Sequence, residues 1–180
     1  MSRDDALKLL HEHVGSDSLR THCLAVEAAM AAYAQKYGED PELWGICGLI
    51  HDFDYEKHPD KHPFFGVELL KEKGYPDEII QAILGHAVYS GVERKSYMAK
   101  CLFAVDELCG FIVACALVRP ERLNGLTPKS VKKRLKTKAF AAKVNREEIT
   151  QGIQELGVSE DEHIAFVIRA LQGVSNELGL

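Results

Sequence analysis

His22, the adjacent pair His51-Asp52, His86 and Asp106 stand where their apolar neighbours call for hydrophobic residues. Imidazole nitrogens and carboxylate oxygens are ligands for divalent metals, and buried charge is costly unless it is paired or coordinates an ion. One such residue is the ordinary hydrogen-bonded core histidine. Several of them on the inner faces of separate helices, two side by side, point instead to a metal site in a helical core. Three or four N and O ligands can fix an ion and still leave a position for water, whose pKa the ion lowers.

The elements that must position these residues are helices. Nearly every periodic segment has helical spacing, and no alternating strand pattern with hairpin turns interrupts it. Leu19, His22, Cys23, Val26, Met30 and Tyr33 form one stripe, so His22 faces inward. Asp40-Pro41-Glu42 is a strong helix start, a cap residue followed by proline at the first helical position, and that helix delivers His51-Asp52 at its end. Phe53 to Pro63 reads as a polar loop. Pro63 opens a helix that stops at Gly74, and a helix from Tyr75-Pro76 leads to His86. Tyr97 to Val118 is a long apolar helix with Asp106 embedded in it. Ser159 with Glu162 makes a capping box for the last helix.

The expected fold is all-α, a single helical bundle of about eight helices over residues 1–180. A core at about 17–119 carries the site, and about 120–180 form a C-terminal helical elaboration. The 180 residues are 46% hydrophobic and 27% charged, the mix of a globular domain. A formal charge of −5 gives no whole-protein case for nucleic acid. Met1 to Asp5 is polar and leads into no apolar signal core, and Phe111 to Val118 is far too short to span a bilayer. The five cysteines contain no C-x-x-C pair and lie mostly in apolar runs, which suits free thiols in a reducing cytoplasm.

The order His22, His51-Asp52, Asp106 on separate helices resembles the HD superfamily of metal-dependent phosphohydrolases. His62-Pro63-x-x-Gly66 and His86 resemble the extra histidines of its two-metal branch, although His58-Pro59 offers a similar dipeptide. The helix and glycine that follow His62 favour it. Carried over residue by residue, the resemblance implies one metal held by His22, His51, Asp52 and Asp106. A second would take His62 and His86, with Asp52 bridging. It thus implies one or two divalent ions per chain, with iron, manganese, zinc, cobalt, nickel and magnesium not distinguished. Phe103 to Pro120 and His51 to Gly66 are similar to a prokaryotic HD subfamily known only as predicted phosphohydrolases. Tyr55 stands where some relatives carry the lysine of HD-x-x-Lys, with Lys57 or Lys61 the nearest replacements.

The expected activity is phosphohydrolysis of a small phosphorylated molecule, a nucleotide or other phosphoester, by metal-activated water. Asp52, Asp106, Lys57 and Glu107 are the expected catalytic residues. From Lys129 to Lys143 there are seven basic residues and no acidic one, which reads either as a solvated helix face or as an electropositive rim for a phosphorylated substrate. Arg119, Lys129, Lys132 and Lys133 are the candidate substrate contacts, and Arg119 could equally cap the carbonyl end of the preceding helix. Asp54, Glu56 and Glu107 adjoin the proposed ligands, where each could orient a ligand histidine or act as general acid or base, with exposed loop charge the default for Asp54 and Glu56. His11, His13 and His163 read as surface or interface residues. Two other functions fit the same ligands: a di-iron oxygenase of the HD superfamily, and a non-catalytic module whose metal is structural. No membrane partner is expected, nucleic acid is disfavoured, and the amphipathic helices allow a homodimer without demanding one.

Overall fold

The computed structural model describes all 180 residues, and every regular element is helical. Ten α-helices follow in chain order: α1 Arg3–His13, α2 Asp17–Tyr37, α3 Pro41–Ile50, α4 Phe64–Glu72, α5 Asp77–His86, α6 Tyr97–Leu117, α7 Pro128–Leu135, α8 Arg146–Leu156, α9 Glu160–Gly173 and α10 Ser175–Leu178. A short 3-10 turn, Val88–Ser90, follows α5. The sequence pattern suggested about eight helices; the four-residue α10 is too short to show a period.

The caps lie where the sequence placed them. The Ser2 and Asp40 side chains accept from the first-turn amides of α1 and α3, and Pro41 opens α3. At α9 the Ser159 hydroxyl accepts from the Glu162 amide, while the Glu162 carboxylate returns to that hydroxyl rather than to the Ser159 backbone.

Helix α6 runs through the middle of the bundle, with α2, α5, α8 and α9 packed around it. Its buried side chains from Met98 to Ala116 join those of α2, α3 and α5 in one apolar cluster. Two glycines permit the closest approaches. A Cβ on Gly48 would come within 2.9 Å of the Val26 and Glu27 backbone, so α3 lies directly against α2. A Cβ on Gly152 would come within 2.6 Å of Ala104 Cα, so α8 seats equally closely on α6. The first approach matters for the site. His22 is one turn before Val26 and His51 three residues after Gly48, so the contact brings the two imidazoles together. No helix is long and apolar enough to cross a membrane. All five cysteines are free and buried.

Candidate metal centre

Five elements meet at one point. His22 comes from α2, His51 and Asp52 from the end of α3, His62 from the loop before α4, His86 from the last position of α5, and Asp106 from the middle of α6. The ligand atoms of His22, His51 and Asp106 all lie within 4.8 Å of one another, and so do those of His51, Asp52 and His86.

The individual distances describe two halves joined by one carboxylate. In the first half, His22 Nε2 is 3.2 Å from His51 Nε2. Asp106 Oδ1 is 3.0 Å from the first of these nitrogens and 3.3 Å from the second. In the second half, His62 Nε2 is 3.2 Å from His86 Nε2. Asp52 spans the two. Its Oδ1 lies 3.3 Å from both His62 Nε2 and His86 Nε2, and its Oδ2 lies 3.6 Å from His51 Nε2 and 3.9 Å from His22 Nε2.

The outer nitrogens decide what these contacts are. His51 Nδ1 faces the Gly48 carbonyl at 2.8 Å, and His86 Nδ1 faces the Ile83 carbonyl. A carbonyl only accepts, so both Nδ1 atoms carry a proton, and in the neutral imidazole each Nε2 presents a lone pair. His62 Nδ1 donates in the same way to Asp54 Oδ1 at 2.7 Å. In the neutral state the Nε2 atoms of His51, His62 and His86 and the carboxylates of Asp52 and Asp106 face one another at 3.2–3.6 Å, acceptor against acceptor. Two donors about 2.1 Å from one ion and roughly 90–110° apart are themselves about 3.0–3.4 Å apart. The spacing is that of ligands around cations. A histidine-rich N/O set suits iron, manganese, cobalt, nickel or zinc better than magnesium, which prefers oxygen.

Burial opposes charge on His51, yet Asp52 and Asp106 outweigh it and lift the imidazole to about 9, so without an ion a proton on Nε2 supplies the positive charge that the two carboxylates draw in. Burial would likewise raise the two aspartates, but the surrounding histidines hold both well below the usual carboxylate range. Two ionised carboxylates in a recessed site draw positive charge into it.

A cavity of about 630 Å³ opens over this cluster. Leu19 and the start of α2 form one wall, Tyr55 and Glu56 another, Val88 and Tyr89 a third, and Glu107, Lys143, Val144 and Glu148 the fourth. Val88, Tyr55 and Tyr89 are 48%, 51% and 67% exposed, so they form an apolar and aromatic mouth. Tyr89 Oη is anchored 2.6 Å from the His62 carbonyl. Glu107 is lifted to about 7, by burial and then by the charge of Asp106.

The observation that decides the family is its match to the chain: the HD domain model covers residues 19–110. This is an HD-domain protein. The matched span opens at the turn carrying His22 and ends just beyond Asp106, so it encloses all six clustered residues. An uncharacterised protein of Methanocaldococcus jannaschii is 32% identical over 101 residues, 53% of this chain and 59% of that protein. The HD-domain protein thus spans less than two thirds of that relative's length. No solved structure matches it.

Several expectations need correction. Lys57 is not at the cavity; its Nζ donates to the Glu12 carbonyl at 2.6 Å. Arg119, Lys129, Lys132 and Lys133 do not line it either. Arg119 closes the turn after α6 through the Arg122 and Asn124 carbonyls, and Lys132 is paired with Asp161 and Glu160. Lys129 and Lys133 are solvent-exposed on α7. From the whole basic run, only Lys143 reaches the cavity. Asp54 is not loop charge: it is 1% exposed and its second oxygen accepts from the Gly66 amide at 2.7 Å. Glu56 accepts from the Gly15 and Ser16 amides and so ties the ligand loop to the start of α2. His163 is buried between Tyr33 Oη and the Ala104 carbonyl rather than at the surface.

Proposed function

We propose that this HD-domain protein is a metal-dependent phosphohydrolase that holds two divalent ions per chain and acts on a small phosphorylated molecule. The observation that carries the reading is Asp52, whose two oxygens face separate pairs of histidine nitrogens beneath an open cavity. His22, His51 and Asp106 would hold one ion and His62 and His86 the other, with Asp52 shared. Bound there, the ions would lower the pKa of a water and neutralise the oxygens of a phosphoryl group.

The chain's own residues do the rest. The Nδ1–H bonds of His51, His62 and His86 fix ring orientation and keep each Nε2 bare. Lys143 is the one cation on the walls and is placed to meet a distal anionic or hydroxyl group of the substrate. Tyr55, Tyr89 and Val88 offer an apolar surface for its body. Glu107, beside Asp106 on the cavity wall, is placed to give a proton to the leaving oxygen. The recessed but open face favours catalysis over a purely structural metal, which is ordinarily closed by protein ligands. The free, buried cysteines support a reducing, cytoplasmic setting.

The test is phosphate release from a panel of phosphomonoesters by protein loaded separately with manganese, iron, cobalt or zinc. Asp52→Ala serves as the control, and each reaction is run with and without dioxygen. Release without dioxygen, lost in Asp52→Ala, supports hydrolysis. Turnover only with iron and dioxygen would replace it with the oxygenase reading.

A further inference from the structure

The basic run does not act as one surface. Lys143 turns to the metal cavity and Lys132 is neutralised by Asp161 and Glu160 at the start of α9. Lys133 and Arg134 face a second cavity of about 330 Å³, whose remaining walls are Arg119, Leu126, Ser130 and Thr137. Three cations and two hydroxyls line it, and no carboxylate does.

Each cation is held without a counter-charge. The Arg119 Nε and Nη2 donate to the Arg122 and Asn124 carbonyls at 3.0 and 2.8 Å, which fixes the guanidinium while leaving Nη1 without an acceptor. The Arg134 guanidinium lies 4.8 Å from the centre of the Phe140 ring. None of the three forms an ion pair, whereas Arg3, Arg20, Arg94 and Lys132 all do. Like charges drawn into one concavity repel, and fixing two of them by carbonyl and ring contacts keeps them from separating. An anion in the cavity relieves that repulsion and accepts hydrogen bonds from guanidinium, ammonium and hydroxyl groups together.

We infer that this cavity is a second ligand site, for a compact phosphate-bearing anion of the di- or triphosphate class. Three converging positive charges suit two or three linked phosphates. The site is concave and local, and the chain as a whole carries −5, which does not favour a nucleic-acid backbone tracked along a stripe. It is separate from the metal centre. Leu117, the last residue of α6, lies eleven residues beyond Asp106, roughly 16 Å at the helical rise, and Arg119 stands in the turn after it. The inference stands without the hydrolase reading.

The experiment is calorimetric titration of inorganic tripolyphosphate into the full chain at moderate salt. Wild type depleted of metal by chelator and Asp52→Ala are expected to bind one equivalent with like affinity, and metal-loaded wild type at least that equivalent. Lys133→Glu/Arg134→Glu is expected to weaken binding by roughly tenfold or more. Arg119→Gln, a milder change at the opposite wall, also weakens it. Lys71→Glu/Lys73→Glu, an equal charge reversal at exposed positions at the end of α4, leaves it unchanged. Loss of binding in both metal-depleted wild type and Asp52→Ala would place the anion at the metals and overturn the inference. Equal weakening by the two double reversals, or binding of a single-stranded RNA but not of tripolyphosphate, would overturn it too.

Discussion

Replacing Asp54 by asparagine isolates one half of the metal centre. The Asp54 carboxylate accepts two short bonds at 2.7 Å, from His62 Nδ1 and from the Gly66 amide, so both oxygens are used. An amide of the same shape has only one acceptor. If its oxygen keeps the Gly66 bond, its NH2 faces His62 Nδ1, and the ring must take the tautomer with the proton on Nε2. That nitrogen then points a proton at Asp52 Oδ1 and His86 Nε2, both 3.2–3.3 Å away, and is no longer a ligand. Losing such an outer partner typically costs about 10–100-fold in metal affinity, or about 1.4–2.7 kcal/mol. At free metal tenfold above the wild-type Kd, occupancy of the second position should fall from about 0.9 to between about 0.5 and 0.1. The assay is metal content per chain after equilibrium dialysis against buffered metal. The first ion, held by His22, His51 and Asp106, should stay. Retention of both ions, or loss of both together in a folded Asp54→Asn protein, would refute the reasoning.

Other outcomes follow from the same contacts. Gly66→Ala puts a Cβ 2.8 Å from Asp54 Cγ and 3.0 Å from the Phe53 ring, and should mimic Asp54→Asn in metal content while costing about 1–3 kcal/mol in thermal unfolding. Gly152→Ala meets the Ala104 backbone at 2.6 Å and should cost at least as much, whereas Gly173→Ala, with nothing near its Cβ, should be neutral or stabilising by up to about 1 kcal/mol in the same assay. Burial holds the His163 imidazole below its ordinary value of 6.5, so the unfolded chain binds more protons. That contribution is complete above pH 6.5 and is lost as pH falls through the folded value, giving a downward slope in unfolding free energy that His163→Gln should remove. Lys143→Ala should raise KM for a phosphoester substrate far more than Lys129→Ala, which lies off the cavity, and equal effects would remove Lys143 from the substrate's path.

The legible part of the site was the part carried by helices. His22, His51 and Asp106 interrupt apolar stripes, and period 3.6 alone places them inward. His86 ends a run of isoleucines on α5 in the same way. His62 has no such stripe and was readable only through the proline and glycine after it. For Asp54 the sequence left loop charge as the default and orienting a ligand histidine as the alternative, because a polar loop has no period and nothing local shows that the chain folds its carboxylate under Gly66. Tyr55, Tyr89 and Lys143 were missed as cavity residues for the same reason, since all three sit between helices. The basic run was misplaced because composition does not say where a short helix points. Charges on α9 take Lys132, and the Phe140 ring takes Arg134. His163 carried a usable signal: it precedes Val167 by four residues on the apolar stripe of α9 and faces the core with it.

The most direct test of the central claim is anomalous diffraction from crystals of protein purified without chelator, recorded at the absorption edge of whichever metal copurifies. Two peaks should appear, one among His22, His51 and Asp106 and one between His62 and His86, with Asp52 touching both and a separation of about 3.5–4 Å. A single peak confined to the first group, or none at either, would contradict the two-ion account.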